Sequence, residues 1–93
     1  MVTIIIVTMY EIVFTETAKE QYERLAGRIK AQVDKGLDRI SRNPRLGKPL
    51  RGELKGIWSE RVATFRVLYK IKEREIEVVI LVIEHRKSVY GGH

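Results

Sequence analysis

The sequence predicts an α+β domain with the element order β-α-α-β-β-β, in which two N-terminal helices pack on a mostly antiparallel four-stranded sheet. Two observations carry this prediction. Apolar residues recur at helical spacing between residues 16 and 42, whereas β-branched and apolar residues form strand-like runs before and after that segment. The chain has 93 residues, of which 44 % are apolar, so it can build one modest core.

The first strand is predicted over residues Thr3 to Phe14. This stretch lacks a cationic n-region, and its apolar run ends at Glu11, short of the roughly 18 residues that span a bilayer. We interpret residues 1–93 as a single domain with no membrane association. The alternative is a natural start at Met9, which leaves the first eight residues as an extension.

Two helices are predicted, over about residues 16–26 and 28–42. Thr15 and Thr17 are the candidate N-caps, because a side-chain hydroxyl can accept a hydrogen bond from a free N–H of the first turn. A single long helix kinked near Gly27 is the alternative. Apolar residues occupy helical spacing on both sides of that glycine: Ala18, Tyr22, Leu25, Ile29, Val33, Leu37 and Ile40.

Residues 43–56 contain both prolines and three glycines and predict a loop. Strands follow over residues 57–62 and 64–72, and a turn over 73–76 leads into the last strand. Simple alternation gives that strand two apolar faces, so it should lie in the centre of the sheet. One face would hold Ile76, Val78, Ile80 and Val82, and the other Val79, Leu81 and Ile83.

The positive charge is concentrated in the middle of the chain. The net charge is +6, from 18 Lys and Arg against 12 Asp and Glu, and residues 42–70 hold eight of the cations but only two of the acids. Such a segment suits a polyanionic partner, although it is equally compatible with an ordinary solvated surface. There is no cysteine, which excludes disulfides and thiolate metal sites and fits a cytoplasmic protein.

Most enzyme machinery is absent from the sequence, which has no phosphate-binding glycine motif, no HExxH motif and only two histidines. We therefore expect neither a metal nor another cofactor. The remaining arginine, lysine, histidine and tyrosine side chains suffice for cleavage of RNA by its own 2′-hydroxyl. That reaction needs a base, an acid for the 5′ leaving oxygen, and cations for the phosphorane-like transition state.

Two segments, "PLRGELKGIWSERVATFRVLYKI" over residues 49–71 and "VIEHRKSVY" over 82–90, resemble the RelE/ParE toxin superfamily. The shared pattern is G-x-L-x-G-x-W-x-x-R, then an aromatic residue followed by Arg, then His-Arg-x-x-apolar-Tyr. The resemblance implies the toxin of a type II toxin–antitoxin system, held in a hetero-oligomer with a RelB-like antitoxin.

The favoured RelE-like branch implies a ribosome-dependent mRNA endonuclease that acts without metal on ribosome-bound mRNA. The alternatives are a ParE-like inhibitor of DNA gyrase and a catalytically weak toxin that only binds its antitoxin.

The predicted catalytic residues surround the end of the last strand, where His85 and Arg86 should lie beside Arg66 of the neighbouring strand. By resemblance, Arg66 is a transition-state cation, Arg61 matches another recurrent basic position of the catalytic site, and Arg86 binds phosphate or protonates the leaving group. Tyr90 stacks on a base or orients phosphate, and the alternative is a core anchor for the tail. His85 is a candidate acid, since imidazole titrates near neutral pH. The predicted RNA or ribosome contacts are Arg45, Lys48, Arg51 and Lys55.

The general base is the point at which the sequence departs from the RelE-like pattern. Enzymes of that type usually carry a lysine pair or a glutamate for this role. Ile57 and Ser59 stand near the lysine positions, and Lys48 stands at the glutamate position. A protonated lysine is a poor base at neutral pH, so the sequence leaves the base unassigned.

Overall fold

The structure, a computed structural model, describes residues 9–86. It confirms the α+β class: two helices pack on a sheet with the strand order β1-β5-β4-β3-β2, in which only the β1–β5 pair is parallel. Neither helix is long and apolar enough to span a membrane. The elements are β1 (Glu11–Phe14), α1 (Glu16–Glu23), α2 (Gly27–Arg42), β2 (Lys48–Pro49), β3 (Trp58–Val62), β4 (Phe65–Lys72) and β5 (Glu77–His85).

Within residues 9–86 the sheet has five strands rather than the four predicted, because a short strand forms inside the predicted loop. This strand is β2, which pairs Lys48 with Ser59 and Pro49 with Trp58. A proline is compatible with this position because β2 is an edge strand whose other side needs no hydrogen-bond donor. The remaining strands occur in the predicted order, and β5 lies between β1 and β4 as its two apolar faces indicate.

Two separate helices form, and the single kinked helix is excluded. Gly27 has φ +59°, a left-handed conformation that glycine adopts without a steric penalty and that no continuous α-helix contains. The N-cap of α1 is Thr15, whose Oγ1 accepts a hydrogen bond from the Ala18 N–H at 3.1 Å. Thr17, the other candidate cap, lies inside the helix.

Both helices pack on the same face of the sheet. Burial there removes apolar surface from water, at roughly 25 cal/mol for each Å². The core comprises Ala18 of α1, Val33, Leu37 and Ile40 of α2, and Val62, Val67, Tyr69, Val78, Ile80 and Ile83 of the sheet. The opposite face, called here the outer face, is not covered by either described helix.

A bulge in β5 changes which residues reach the core. Leu68 pairs with Val82 but the next residue, Tyr69, pairs with Ile80, so Leu81 is an extra residue on β5. The prediction that Val82 shares a face with Val78 and Ile80 is therefore wrong. Ile83 enters the core in its place, and Val82 turns to the outer face.

The segment between α2 and β2 is held on the sheet by Tyr69. Its side chain is fully buried, and its hydroxyl donates a hydrogen bond to the Pro44 carbonyl oxygen at 2.6 Å. Gly47 fits against the same ring, because a Cβ there would overlap the Tyr69 hydroxyl and lie 3.0 Å from the Ser59 carbonyl oxygen. Tyr69 thus determines the position of β2 and of its residue Lys48.

Gly36→Ala should destabilise the protein. A Cβ at this buried helix position would lie 2.5 Å from Val62 Cγ2 and 3.1 Å from Cγ1. Overpacking of this kind costs about 1–3 kcal/mol, which exceeds the gain of about 1 kcal/mol in helix propensity. Urea unfolding should report the lower free energy of unfolding. The double variant Gly36→Ala/Val62→Ala should lose less than the sum of the two single changes, and strict additivity would contradict the predicted clash.

Tyr69→Phe should destabilise the protein by about 1–3 kcal/mol, because the buried Pro44 carbonyl loses its donor. Burial, followed by the negative charge of Glu60, raises the pKa of Tyr69 to about 12. Between pH 10 and 12 the unfolded chain has lost this proton and the folded chain has not, so stability should fall as pH rises through that window. Absorbance titration should show a late-ionising tyrosine that Tyr69→Phe removes. An unchanged titration would refute the assignment.

Candidate functional site

A pocket at the β2–β3 edge of the sheet brings together three of the predicted cations. Its volume is about 420 Å³, and its lining includes Lys48, Ser59, Arg61 and Arg66. We call this the basic pocket. Glu60 is its one acidic lining residue, so three cations stand against one carboxylate and the excess of positive charge favours an anion.

Strand pairing explains why these side chains meet. Arg61 of β3 lies directly opposite Arg66 of β4, and Lys48 of β2 lies directly opposite Ser59 of β3. Residues that face each other across antiparallel strands project from the same side of the sheet. Since Val62 and Val67 point into the core, Arg61 and Arg66 project from the outer face.

The other predicted RNA contacts are distributed differently. Arg51 lines a second pocket with Lys48, Pro49 and Leu50, so that Lys48 borders both pockets. Lys55 is exposed in the segment before β3.

Arg45 lies in a separate cluster, where its guanidinium pairs with Glu73. The Tyr10 hydroxyl donates to the same carboxylate at 2.8 Å. The hydrogen bond from Tyr10, followed by that from Arg45, lowers the pKa of Glu73. This cluster joins the segment after α2 to the β4–β5 turn and leaves the Arg45 side chain in an ion pair.

The end of β5 does not have the arrangement expected from the sequence. His85 pairs with Phe65, and the two rings meet edge to face with centroids 5.4 Å apart. Phe65 packs against the core, so His85 lies on the helix-covered side of the sheet. His85 and Arg66 thus project from opposite faces of the sheet, because the bulge at Leu81 reverses the alternation of β5. The residue opposite Arg66 is Glu84.

Arg86 follows directly after β5. Its backbone N–H donates a hydrogen bond to the Thr64 carbonyl oxygen at 2.9 Å, next to the terminal pair of Phe65 and His85. The Arg86 Nε is buried and has no hydrogen-bond partner among residues 9–86. A buried guanidinium donor of this kind is suited to an anionic acceptor. Tyr90, the remaining predicted catalytic residue, lies outside the described residues.

Glu84 pairs with the pocket residue Arg66, and the sequence did not predict this. Simple alternation along β5 assigns it to the same face as Ile80 and Val82, away from Arg66. In the sequence, Glu84 stands between a run of apolar residues and the pair His85–Arg86. That position does not show from which face of the sheet its side chain projects. Across residues 9–86 there is no group of three His, Cys, Asp or Glu residues that could hold a metal ion.

Comparison with known proteins identifies the family. Residues 12–90 match the family model described as ParE toxin of type II toxin–antitoxin system, parDE. The chain is 43 % identical over 83 residues to Toxin RelG of Mycobacterium tuberculosis, covering 87 % of this chain and 95 % of that protein. It is 37 % identical over 83 residues to Toxin RelE of the same organism, covering 87 % and 86 %.

Solved structures agree with this assignment. The toxin–antitoxin complex RelBE2 from M. tuberculosis matches with a TM-score of 0.77 and 43 % identity, covering 85 % of this chain and 93 % of that chain. The isolated E. coli RelE toxin has the same fold, with a TM-score of 0.72 at 21 % identity and coverage of 89 % and 93 %. The chain therefore belongs to the ParE toxin family of type II toxin–antitoxin systems, within the RelE/ParE superfamily.

Proposed function

We propose that this toxin is a ribosome-dependent mRNA endonuclease that uses the RNA 2′-hydroxyl as its nucleophile. The observation that carries the proposal is the meeting of Lys48, Arg61 and Arg66 at one pocket of the outer face. Three cations around a cavity of this size suit an RNA phosphate and its flanking nucleotides. The 43 % identity to Toxin RelG supports the RelE-like direction of the proposal.

The chemistry follows from what the pocket contains. Attack of the 2′-oxygen on the adjacent phosphorus puts negative charge on the equatorial phosphate oxygens. Arg61 and Arg66 would bind those oxygens more strongly in the transition state than in the ground state, which lowers the barrier. The products would be a 2′,3′-cyclic or 3′-phosphate and a 5′-hydroxyl. DNA has no 2′-hydroxyl, so the same pocket would not cleave it.

Arg86 is the candidate for the leaving-group side of the reaction. Its buried Nε has no partner within the part of the chain that the structure describes, so a phosphate or a leaving oxygen could accept its hydrogen bond. His85 remains a candidate acid, and its contact with Phe65 means that its ring would have to reach the substrate from the strand end. The role of Tyr90 likewise remains a prediction.

A RelB-like antitoxin is the proposed protein partner. A structure 43 % identical to this chain was solved as the toxin–antitoxin complex RelBE2. The net charge of +6 favours an acidic antitoxin segment, and an amphipathic helix lying in a groove is one way to provide it.

Inhibition of DNA gyrase is the second candidate function. It is favoured by the description of the matching family as ParE toxin and by the absence of a lysine pair at Ile57 and Ser59. Such an inhibitor needs a binding surface and no catalytic groups.

Arg66→Ala and Arg86→Ala should each reduce single-turnover mRNA cleavage on programmed ribosomes by about 10²–10³-fold, the usual loss for one donor to a developing oxyanion. Neither side chain belongs to the core, so melting temperatures should stay near that of the parent. Lys70→Ala is the matched control, because Lys70 is an exposed cation on the same face of β4. Cleavage by both arginine variants within about threefold of the parent would disprove this site. A parent that stalls gyrase but never cleaves mRNA would establish the second candidate.

Expression of the chain alone should arrest growth, and co-expression of an antitoxin encoded beside it should restore growth. The purified pair should form a complex that weakens as salt rises, because part of the attraction is between exposed charges. Size-exclusion chromatography at low and high salt measures this. Unimpaired growth in cells that contain soluble, folded protein would contradict toxicity.

A further inference from the structure

A carboxylate lies opposite the basic pocket's half-buried arginine. Arg61 of β3 pairs with Arg66 of β4, and Arg66 pairs with Glu84 of β5. These three residues therefore stand side by side across three neighbouring strands, with Cβ atoms of adjacent pairs about 4.5–5.5 Å apart. All three project from the outer face, since the adjacent residues Val67 and Ile83 are in the core.

The surroundings of Glu84 do not explain it as a structural residue. Its side chain is half-buried, and among residues 9–86 its carboxylate has no hydrogen bond or ion pair. A carboxylate removed from water without a partner costs free energy. A group of this kind beside a cationic pocket is characteristic of a functional site.

The other proton acceptors near the pocket are less well placed. Glu60 lines the basic pocket, but its side chain is directed towards α2, where Oε2 lies 4.0 Å from Arg39 Nη2. Its strand neighbour Arg61 is on the outer face, so Glu60 is on the opposite side of β3. His85 is likewise turned to the helix side against Phe65. Among these three groups, only Glu84 shares the outer face with Arg66.

We propose that Glu84 is the general base of the cleavage reaction, a role that rests on the proposed endonuclease function. The Glu84 carboxylate takes the proton from the RNA 2′-hydroxyl as the 2′-oxygen bonds to phosphorus. The bond from phosphorus to the 5′-oxygen breaks, and that oxygen receives a proton from the acid of the site, for which Arg86 is the candidate. The products are a 2′,3′-cyclic phosphate and a 5′-hydroxyl, and Glu84 then releases its proton to water.

The neighbouring arginines lower the electrostatic cost of placing a carboxylate next to RNA. A glutamate alone would repel the phosphate, and the cations of Arg61 and Arg66 offset that repulsion. Arg66 would contact the phosphate whose adjacent 2′-hydroxyl Glu84 deprotonates. Their cross-strand pairing holds the base and the cation at a fixed separation on rigid backbone, which proton transfer requires.

The decisive variants are Glu84→Gln and Glu84→Ala, assayed by single-turnover cleavage on programmed ribosomes. Loss of a general base typically costs about 10²–10⁴-fold in rate, and we expect a fall in that range with ribosome binding within about threefold of the parent. Added formate should restore part of the activity of Glu84→Ala, because a small carboxylate can enter the vacated space. Glu77→Gln is the matched control, since Glu77 is a half-buried glutamate of the same strand and face.

The formate experiment distinguishes the loss of a catalytic group from a loss of structure. Restoration by formate of Glu84→Ala, and not of Arg66→Ala, would support the base role even if the alanine variant is less stable. Three results would overturn it: cleavage by Glu84→Gln within threefold of the parent, an equal loss in Glu77→Gln, or a low activity of Glu84→Ala that formate leaves unchanged. In each of these the parent still cleaves, so the endonuclease function stands. A parent that does not cleave removes that function and the base role together.

Discussion

The extra residue in β5 is the constraint on which the rest of the structure depends. The side chains of α1 and its cap stabilise it: Thr15 Oγ1 donates to the Leu81 carbonyl oxygen at 3.0 Å, and Gln21 Oε1 accepts from the Ile83 N–H at 2.7 Å. Backbone groups that the bulge withdraws from the sheet ladder thereby keep partners. The bulge puts Ile83 in the core and Glu84 on the outer face, so the hydrophobic core and the candidate site share one cause.

The basic pocket is built on two close attachments to the sheet. On the helix-covered face, Gly36 has no side chain, so α2 packs closely against Val62 and holds β3 in position. On the edge, the buried hydroxyl of Tyr69 holds the Pro44 carbonyl and so positions β2. Lys48 and Arg61 therefore stand on strands whose positions are set by buried contacts. Preorganisation of this kind favours recognition of a phosphate without a large ordering cost.

Local patterns predicted the fold class, both helices and the central position of β5, because each rests on the spacing of apolar residues within one segment. The proximity of Arg61 and Arg66 could also be predicted, because the alternation of side chains along β3 and β4 is unbroken. The bulge could not be predicted, because Thr15 and Gln21, which form hydrogen bonds to it, lie more than 60 residues earlier in the chain. β2 and the ion pair of Arg45 depend in the same way on distant contacts, with Tyr69 and Glu73.

The parallel pairing of β1 with β5 also determines when the chain can complete its fold. Thr15 and Leu81 are separated by 66 residues, and β5 is synthesised after the other four strands of the sheet that residues 9–86 form. Until β5 has been synthesised, β1 has no strand neighbour, β4 has only β3, and the helices have no complete surface to pack on. Contacts this distant in sequence also slow folding. A chain without β5 therefore carries the cations of the pocket on strands whose helix-covered core is incomplete.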